Sequence, residues 1–234
     1  MFGFFNIDKP LRRTSHDIVA DVRRGLGIKK VGHAGTLDPL ATGVLIVCVG
    51  GATRLSDYVM HSTKAYRARV TLGTITTTYD AEGEIVEQKP FTHITREDVL
   101  HVLPRFTGAI EQVPPMYSAI KQDGRKLYDL ARAGVDVERP ARPVTIQALE
   151  LVEWGLPEFR DRCDVQRGTY IRSLAYDIGA ALGVGAYMSG LRRTQRRFHP
   201  RKRGTAGNTP PRRTPRRISC CAVSSPQSVS AGSA

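Results

Sequence analysis

The chain is poor in cysteine and in long apolar runs, and each shortage excludes a class of protein. Its four cysteines, Cys48, Cys163, Cys220 and Cys221, lack the spacing of a metal site, and the last two are adjacent, where bridging is rare. The longest apolar run covers residues 44–49, which is far too short to span a bilayer. The first residues lack the basic and apolar segments of a signal peptide. The sequence therefore predicts a cytoplasmic protein that is not bound to a membrane and has no structural disulfide.

Acidic residues are absent from the last part of the chain. The 234 residues include 35 Lys and Arg against 22 Asp and Glu, a formal net charge of +13. Nine of the basic residues and none of the acidic ones lie in residues 195–234, so residues 1–194 have a net charge of only +4. This tail is rich in Arg, Pro and Ser, and it cannot bury enough apolar surface to offset roughly 1–2 kcal/mol per residue of backbone ordering. The net charge is therefore unevenly distributed, and the sequence predicts a nearly balanced body followed by a cationic, disordered tail.

The body shows both strand and helix periodicity. Alternation and apolar runs predict strands at residues 4–8, 44–49, 65–72, 144–152 and 163–166. Capping residues and apolar stripes predict helices from an N-cap at Ser15 to Gly27, from Thr95 to Pro104, over 125–133 and over 171–182. Because no regular strand–helix–strand repeat occurs, we expect an α/β (α+β) fold with a mixed, largely antiparallel central sheet and flanking helices.

The glycine-rich loop at residues 32–43 has the most unusual composition. Asp38 precedes Pro39, which favours an extended backbone at the aspartate. Gly32, Gly35 and Gly43 allow a large partner to approach the backbone closely. By spacing alone, however, an aspartate in such a loop is a turn or cap residue more often than a catalyst.

Three other residues, each taken by itself, also have structural explanations. His33 is explained as a hydrogen-bonded loop histidine, Tyr66 as a core residue of a strand, and Arg172 as a solvated or locally paired residue at a helix start. The sequence contains no phosphate-binding glycine loop, nucleophile elbow or metal motif. Residue patterns alone thus lead to a mixed α/β protein with a net positive body and one loop of interest.

A resemblance to a known family extends this interpretation. Residues 32–43, with the sequence GHAGTLDPLATG, resemble the signature loop of the TruB family of tRNA pseudouridine synthases. Other segments resemble motifs of that family in the same order: DKP at 8–10, KAYR at 64–67, PPMYSA at 114–119, RGTYIR at 167–172 and LRR at 191–193. The resemblance covers residues 3–198. It implies a pseudouridine synthase catalytic core and a monomeric enzyme that isomerises uridine 55 in the T-loop of tRNA.

The resemblance also implies roles for individual residues. Asp38 matches the catalytic aspartate, Arg172 the arginine that pairs with it, and Tyr66 the tyrosine that stacks on the flipped base and takes part in proton transfer at carbon 5. The carboxylate's step, whether attack on the sugar, attack on the base or elimination, stays open. The family uses no cofactor and no metal, and it needs no obligatory protein partner.

Further matched positions concern RNA binding. His33 resembles the loop histidine that takes part in flipping the uridine, and Tyr170 and Leu191 match positions that line the uridine pocket. Residues 112–143 resemble the family's RNA-contacting thumb insertion. Its candidate phosphate contacts, or alternatively an ordinary solvated face, are Arg125, Lys126, Arg132, Arg139 and Arg142.

The resemblance divides the chain into two parts. Residues 1–198 form the expected catalytic domain, whereas residues 199–234 do not resemble the family, and the PUA domain that many members carry is absent. The composition of this second part resembles translation of a shifted reading frame, with a break near codons 195–200. The alternative is a natural disordered cationic tail. A strand is expected after Thr194, and damage to it would leave a sheet edge uncovered.

Three functions are consistent with the sequence. The first is an active tRNA pseudouridine synthase. The second is a catalytically impaired tRNA-binding or tRNA-folding chaperone on the same scaffold. The third is a nonspecific polyanion binder that depends on the tail, for which each phosphate contact contributes roughly −0.7 to −0.9 to the slope of log K against log salt.

Overall fold

Alternating burial along one strand shows how the sequence builds the centre of the molecule. In the computed structural model, which describes residues 2–122, 124–135 and 137–197, Thr63–Leu72 is a strand. Ala68 and Val70 on this strand are buried, and Arg67 and Arg69, which alternate with them, are exposed. The predicted alternation is confirmed, and it directs one face of the sheet into the core.

Strands and helices follow one another in a mixed order. The strands are β1 (Gly3–Lys9), β2 (Val31–His33), β3 (Ala41–Val49), β4 (Thr63–Leu72), β5 (Thr74–Thr76), β6 (Ile85–Gln88), β7 (Gly108–Gln112), β8 (Lys121–Gln122), β9 (Arg125–Lys126), β10 (Arg142–Trp154), β11 (Glu158–Val165) and β12 (Ala186–Arg197). The helices are α1 (Ser15–Leu26), α2 (Ser56–Met60), α3 (Arg96–Val102), α4 (Leu127–Arg132) and α5 (Ile171–Ala181). Short 3-10 helices cover Gly50–Leu55 and Leu103–Phe106.

Eight of the described strands form one sheet. Its path is β1-β3-β12-β4-β11-β10-β7. Strand β2 pairs with residues 47–49 of β3, whereas β12 pairs with residues 41–43 at the opposite end of that strand. The β12–β3 pair is parallel, and the other pairs in this sheet are antiparallel. The mixed, largely antiparallel sheet predicted from the sequence is therefore confirmed. Residues of α1, α3 and α5 pack with the inward face of the sheet in one apolar cluster.

Strand β12 differs from the prediction. The LRR segment at 191–193 lies inside this strand, which begins at Ala186, so the expectation of a strand starting only after Thr194 is wrong. The strand lies between β3 and β4, in the middle of the sheet rather than at its edge. Its polar sequence concealed it, because the long side chain of Arg193 is buried there with 1% exposure.

Helix boundaries differ from the prediction at two places. The N-cap of α1 is Thr14, not Ser15: its side chain accepts a hydrogen bond from the Asp17 amide, and the Asp17 carboxylate accepts one from the Thr14 amide. This reciprocal capping box satisfies two helix-end amides and leaves Ser15 free for another contact. The helix predicted over 125–133 is shorter, since α4 follows directly on β9.

The predicted tail, from Phe198 onward and including Cys220 and Cys221, lies outside the described residues. Of the other cysteines, Cys48 and Cys163 are both buried and free. In the ranges that the structure describes, no helix is long and apolar enough to cross a membrane.

Candidate active site

The loop between β2 and β3 carries Asp38 and is anchored from two sides. Ser15 at the start of α1 donates from its hydroxyl to the carbonyl of Leu37 at 3.1 Å and accepts from the Leu37 amide at 2.8 Å. The ammonium group of the fully buried Lys9 donates to the carbonyls of Pro10, Arg13 and Pro39. Burial lowers the pKa of Lys9, an effect that nearby Asp38 partly opposes. The two residues flanking Asp38 are thus held in place, which fixes the direction of its side chain.

Asp38 forms an ion pair with Arg172 at the start of α5. The distance from the carboxylate Oδ2 to the guanidinium Nε is 3.2 Å. The side chain of Arg172 is only 8% exposed, whereas that of Asp38 is 41% exposed. The ion pair thus joins a buried guanidinium to a carboxylate that stays partly exposed.

A second carboxylate, which sequence reasoning missed, holds Arg172 from the other side. Asp80 Oδ2 lies 3.3 Å from Arg172 Nη1, and the side chain of Asp80 is 3% exposed. Its other oxygen accepts from the Thr78 hydroxyl at 2.6 Å and from the Glu82 amide at 3.0 Å. Burial, together with the charges of Asp80 and Asp38, raises the pKa of Glu82. The only local signal for Asp80 in the sequence is the threonine-rich segment before it, which indicates a turn.

Two backbone carbonyls complete the coordination of Arg172. Its Nη1 donates to the Thr78 carbonyl at 3.3 Å, and its Nη2 donates to the Tyr117 carbonyl at 3.0 Å. The guanidinium therefore joins three segments that are distant in sequence: the turn before Asp80, the residues after β7, and the Asp38 loop. Such a fixed fork orients the carboxylate.

Tyr66 lies on β4, directly opposite Arg193 on β12, and both are buried. Arg193 Nη1 is 3.4 Å from the Tyr66 hydroxyl, and the guanidinium carbon lies 6.0 Å from the centre of the Tyr66 ring. Arg193 also donates to the carbonyls of Val44, Thr36 and Gly35 at 2.6, 3.4 and 3.2 Å. Arg193 was identified from the sequence only as part of a family motif, and its hydrogen bonds to the backbone of the Asp38 loop were not predicted.

The glycines of the loop make room for the protein itself. Gly43 has φ of 96°, and a Cβ there would overlap the backbone carbonyl of Arg193. Gly35 has φ of 101°, and a Cβ there would overlap the guanidinium of Arg196. The space beside these two glycines, which was expected to admit a large partner, is thus filled by residues of strand β12. Gly32 has open space at its Cβ position.

His33 lies at the end of β2, where the loop begins. Its ring contacts that of His16 edge-on, with centroids 5.3 Å apart. Burial lowers the pKa of His33, and the charges of His16, Arg193 and Arg196 act in the same direction. Its Nδ1 is buried and has no hydrogen-bond partner among the described residues.

The two predicted pocket residues lie on different elements of the fold. Tyr170 immediately precedes α5, and its backbone exchanges two hydrogen bonds with the side-chain amide of Gln112. Burial raises the pKa of Tyr170, and the charges of Arg172 and Asp38 also act on it. Leu191 on β12 is half-buried and lies opposite Ala68.

The basic residues of the 112–143 segment have varied surroundings. Arg125 is exposed on β9, and Lys126 lies beside it in the same strand. Arg132 lies over the ring of Tyr128 at 5.5 Å, and Arg139 donates to the Pro114 carbonyl at 3.3 Å. Arg142 begins β10 opposite Gln112. In the described ranges, no group of three His, Cys, Asp or Glu side chains is arranged to hold a metal ion.

The fold and the loop agree with a family comparison. Residues 23–171 match the TruB family pseudouridylate synthase N-terminal domain. Together with the mixed sheet and the aspartate loop, this match defines the class of the chain, which is that of the pseudouridine synthases, a class of isomerases.

Individual relatives narrow the class further. The tRNA pseudouridine synthase B of Clostridium perfringens (strain 13 / Type A) is 50% identical over 199 residues, which cover 83% of this chain and 67% of the relative. The protein of the same name from Symbiobacterium thermophilum is 53% identical over 196 residues, covering 82% and 66%. A chain in the crystal structure of a Cbf5-Nop10-Gar1 complex is 35% identical with a TM-score of 0.65, covering 83% of this chain and 49% of that one. The chain belongs to the TruB family and spans about two thirds of the length of these curated relatives.

Proposed function

We propose that the chain isomerises uridine 55 in the T-loop of tRNA to pseudouridine. The observation that carries this proposal is the ion pair between Asp38 and Arg172, in which the arginine is buried and the carboxylate is open to substrate. Relatives named tRNA pseudouridine synthase B support tRNA as the substrate.

The reaction breaks the bond between N1 of the base and C1′ of the ribose, and it forms a bond between C5 and C1′. The proton on C5 leaves and N1 gains one, so the atoms of uridine are conserved. Asp38 supplies the negative charge at the reacting nucleotide, by attack or by assisting elimination. Arg172 orients that carboxylate, because the other donors of Arg172 are held by Asp80 and two carbonyls.

Tyr66 is proposed to stack on the flipped base and to assist removal of the C5 proton. The Tyr66 hydroxyl lies 3.4 Å from Nη1 of the buried Arg193, a contact that holds the hydroxyl in place. Tyr170 and Leu191 supply the walls of the uridine pocket, and His33 replaces the stacking that the uridine loses. Flipping costs a few kcal/mol, which these contacts and phosphate contacts of Arg125 and Lys126 offset.

The test uses tRNA with tritium at C5 of uridine, since isomerisation releases this label to water. Asp38→Asn keeps the size of the side chain and removes its charge, so release is expected to fall by at least about 10²–10⁴-fold. Binding of tRNA and the circular dichroism spectrum should stay near those of the parent. A tRNA with cytidine at position 55 is the substrate control and should release no label from that site. Wild-type turnover in Asp38→Asn would contradict the assignment.

A second candidate is a tRNA-binding or tRNA-folding chaperone with impaired catalysis. One observation favours it: Arg196 Nε and Nη2, beneath Gly35, are buried without a hydrogen-bond partner among the described residues. Such unpaired donors destabilise the loop that carries Asp38. Tight tRNA binding with no tritium release by the parent chain would favour this function.

We propose residues 1–198 as the catalytic domain, with a thumb-like insertion at about 112–143, and residues 199–234 as the product of a reading-frame shift. Strand β12 ends with the pair of Arg197 and Thr63, so the shortest truncated variant that keeps this strand ends at Arg197. Sequencing the gene tests the frameshift, and a gene in which no single insertion or deletion near codons 195–200 restores a continuation like that of the family would contradict it. Loss of tRNA affinity after truncation behind Arg197 would instead support the third function, a polyanion binder that depends on its tail.

A further inference from the structure

Helix α5 carries Arg172 in its first turn but begins without the usual features of a helix start. Its N-cap residue, Tyr170, makes no side-chain capping hydrogen bond, and no acidic residue occurs in the first turn. Helices α1 and α3 differ, because each is preceded by a threonine that forms a capping box with an aspartate. The first amides of a helix have no partner within the helix and need one from elsewhere. The start of α5 therefore depends on a group outside the helix.

The side chain of Gln112 supplies that group. Gln112 is the last residue of β7 and is 2% exposed. Its Oε1 accepts from the Tyr170 amide at 2.8 Å, and its Nε2 donates to the Tyr170 carbonyl at 3.1 Å. The same carbonyl accepts the first hydrogen bond of the helix, from the Leu174 amide at 3.1 Å. One side-chain amide thus binds both backbone groups of the residue from which α5 starts.

The position of Tyr170 sets the direction of Arg172. Strand β7 is itself fixed by its pairing with β10, in which Gln112 lies opposite Arg142. Arg172 follows Tyr170 by two residues, and because a helix has a constant rotation per residue, a shift of Tyr170 also moves Arg172. The guanidinium lies 3.2 Å from Asp38 and 3.3 Å from Asp80. A displacement of about 1 Å would take both contacts beyond hydrogen-bonding distance.

The contact requires a side chain with both a donor and an acceptor. A glutamine amide has both, whereas an ionised carboxylate of the same length has no donor for the Tyr170 carbonyl. A methionine of similar length cannot replace either hydrogen bond. A buried backbone group that loses its partner destabilises the structure around it. The chemistry of the residue at position 112 therefore decides whether the start of α5 is held.

We propose that Gln112 is a positioning residue for the isomerisation, which fixes the start of α5 so that Arg172 orients the carboxylate of Asp38. The proposal rests on the proposed function, in which that carboxylate acts on the target nucleotide. Gln112 does not touch the reacting atoms. Its effect passes through the backbone of Tyr170 and the first turn of α5.

The first experiment compares tritium release at saturating tRNA with tRNA affinity. Gln112→Met keeps the length of the side chain and removes its donor and acceptor. The rate constant should fall about 10²-fold, since a misplacement of about 1 Å has an effect of that size. The dissociation constant for tRNA should stay near that of the parent, because Gln112 is not among the proposed RNA contacts. Gln147→Met, at an exposed glutamine of β10, is the matched control and should keep the parental rate.

The pH dependence of a conservative variant tests the contact itself. Gln112→Glu keeps the acceptor, and its carboxyl can also donate to the Tyr170 carbonyl when it is protonated. The rate of this variant relative to the parent should therefore rise as the pH falls. The relative rate of Gln112→Met should not change with pH, because methionine has no proton to gain. A relative rate of Gln112→Glu that stays low at every pH would overturn the contact.

Two comparisons separate misplacement of Arg172 from lost stability. Thr95→Ala removes the cap of α3, a helix that supplies no residue of the candidate site, so it should lower the urea midpoint and retain the rate. Adding Gln112→Met to Arg172→Lys should lower the rate much less than adding it to the parent, because both changes act on the same ion pair. A rate that falls equally in Thr95→Ala, or losses that multiply in the double variant, would overturn the proposal.

The outcomes distinguish the role of Gln112 from the proposed function. A parent chain that releases no tritium rejects the proposed function, and the positioning role with it. An active parent with the full rate in Gln112→Met leaves the proposed function intact and rejects the positioning role alone. A loss confined to tRNA affinity, with the full rate at saturation, also rejects the positioning role.

Discussion

Arg172 and Arg193 both contact the Asp38 loop, and they have different partners. Arg172 is paired with two carboxylates at 3.2 and 3.3 Å. Arg193 is 1% exposed, and its recorded partners are three backbone carbonyls and a tyrosine hydroxyl. The first arrangement joins the loop carboxylate to a buried cation, and the second holds the loop backbone. The same loop thus makes an ion pair with one arginine and accepts backbone hydrogen bonds from the other.

The side of Arg193 is also rich in positive charge. Burial, followed by the charges of Arg196, Arg193 and Arg167, lowers the pKa of Lys64 to about 7. Burial and the charge of Arg193 lower the pKa of Arg196 to about 10. The side of Arg172 is balanced by two acids, so removal of an acidic charge should harm catalysis there, whereas removal of the donors of Arg193 should harm stability on the other side.

The largest effect on stability is expected for Arg193→Met. The variant leaves the carbonyls of Gly35, Thr36 and Val44 without this donor, and each buried unpaired group costs about 1–3 kcal/mol. The free energy of unfolding should fall by at least about 3 kcal/mol, as measured by urea denaturation. Arg193→Lys retains one donor and should lose less. Equal stability of the parent and both variants would remove the structural role assigned to Arg193.

Asp80→Asn tests the electrostatic side. The amide oxygen can still accept from Thr78 and from the Glu82 amide, but the charge that faces Arg172 is lost. A charge-assisted hydrogen bond contributes about 1.5–3 kcal/mol, so kcat for tritium release should fall roughly 10–150-fold while tRNA affinity is retained. Asp57→Asn is the matched control, because Asp57 is 68% exposed in its pair with Arg167. An equal loss in both variants would show that Asp80 has no special role.

Lys64→Met tests the cationic side through pH. The folded chain binds the Lys64 proton less tightly than the unfolded chain, whose ordinary pKa is 10.5, so this residue makes the free energy of unfolding rise as pH rises from about 7 to 10.5. The variant should lose that rise, measured by urea denaturation at several pH values. Lys30→Met, at an exposed lysine, should keep it. A rise of equal size in Lys64→Met would contradict the burial of this charge.

The smallest effect is expected for Arg196→Ser. The substitution removes two buried donors that lack partners among the described residues, and it also removes the bond from Nη1 to the Val59 carbonyl. Because the first change outweighs the second, the free energy of unfolding should rise by about 1 kcal/mol. Thermal and urea unfolding would show it. A loss of stability would mean that Arg196 supports the loop as Arg193 does.

Local patterns predicted much of the fold correctly. The alternation in β4, the cap at Thr95 and the stop at Gly27 are all present. Ser15 was misread because Thr14 and Ser15 are both good caps, and only the position of Leu37 decides which of them faces the helix amides. Strand β12 was missed because a buried arginine carries no hydrophobic signal.

The candidate site was predictable only in part. The motif around Asp38 and the arginine at 172 were identified from the sequence by resemblance, and their separation of 3.2 Å brings them together as expected. Asp80 was not identified, since a single aspartate after a run of threonines has the pattern of an ordinary turn. Its function depends on a partner 92 positions away in the chain, and no local periodicity records such a contact.

The sequence by itself determined the class of fold, the family and the loop that carries the candidate catalytic carboxylate. These follow from short-range patterns, because strand alternation, capping and a contiguous motif are each contained within a few residues. Only the tertiary structure decided which arginine faces acids and which faces carbonyls, since that choice depends on strands and turns that meet across the whole chain. The same long-range packing placed the side chain of Gln112 against the backbone of Tyr170 at the start of α5.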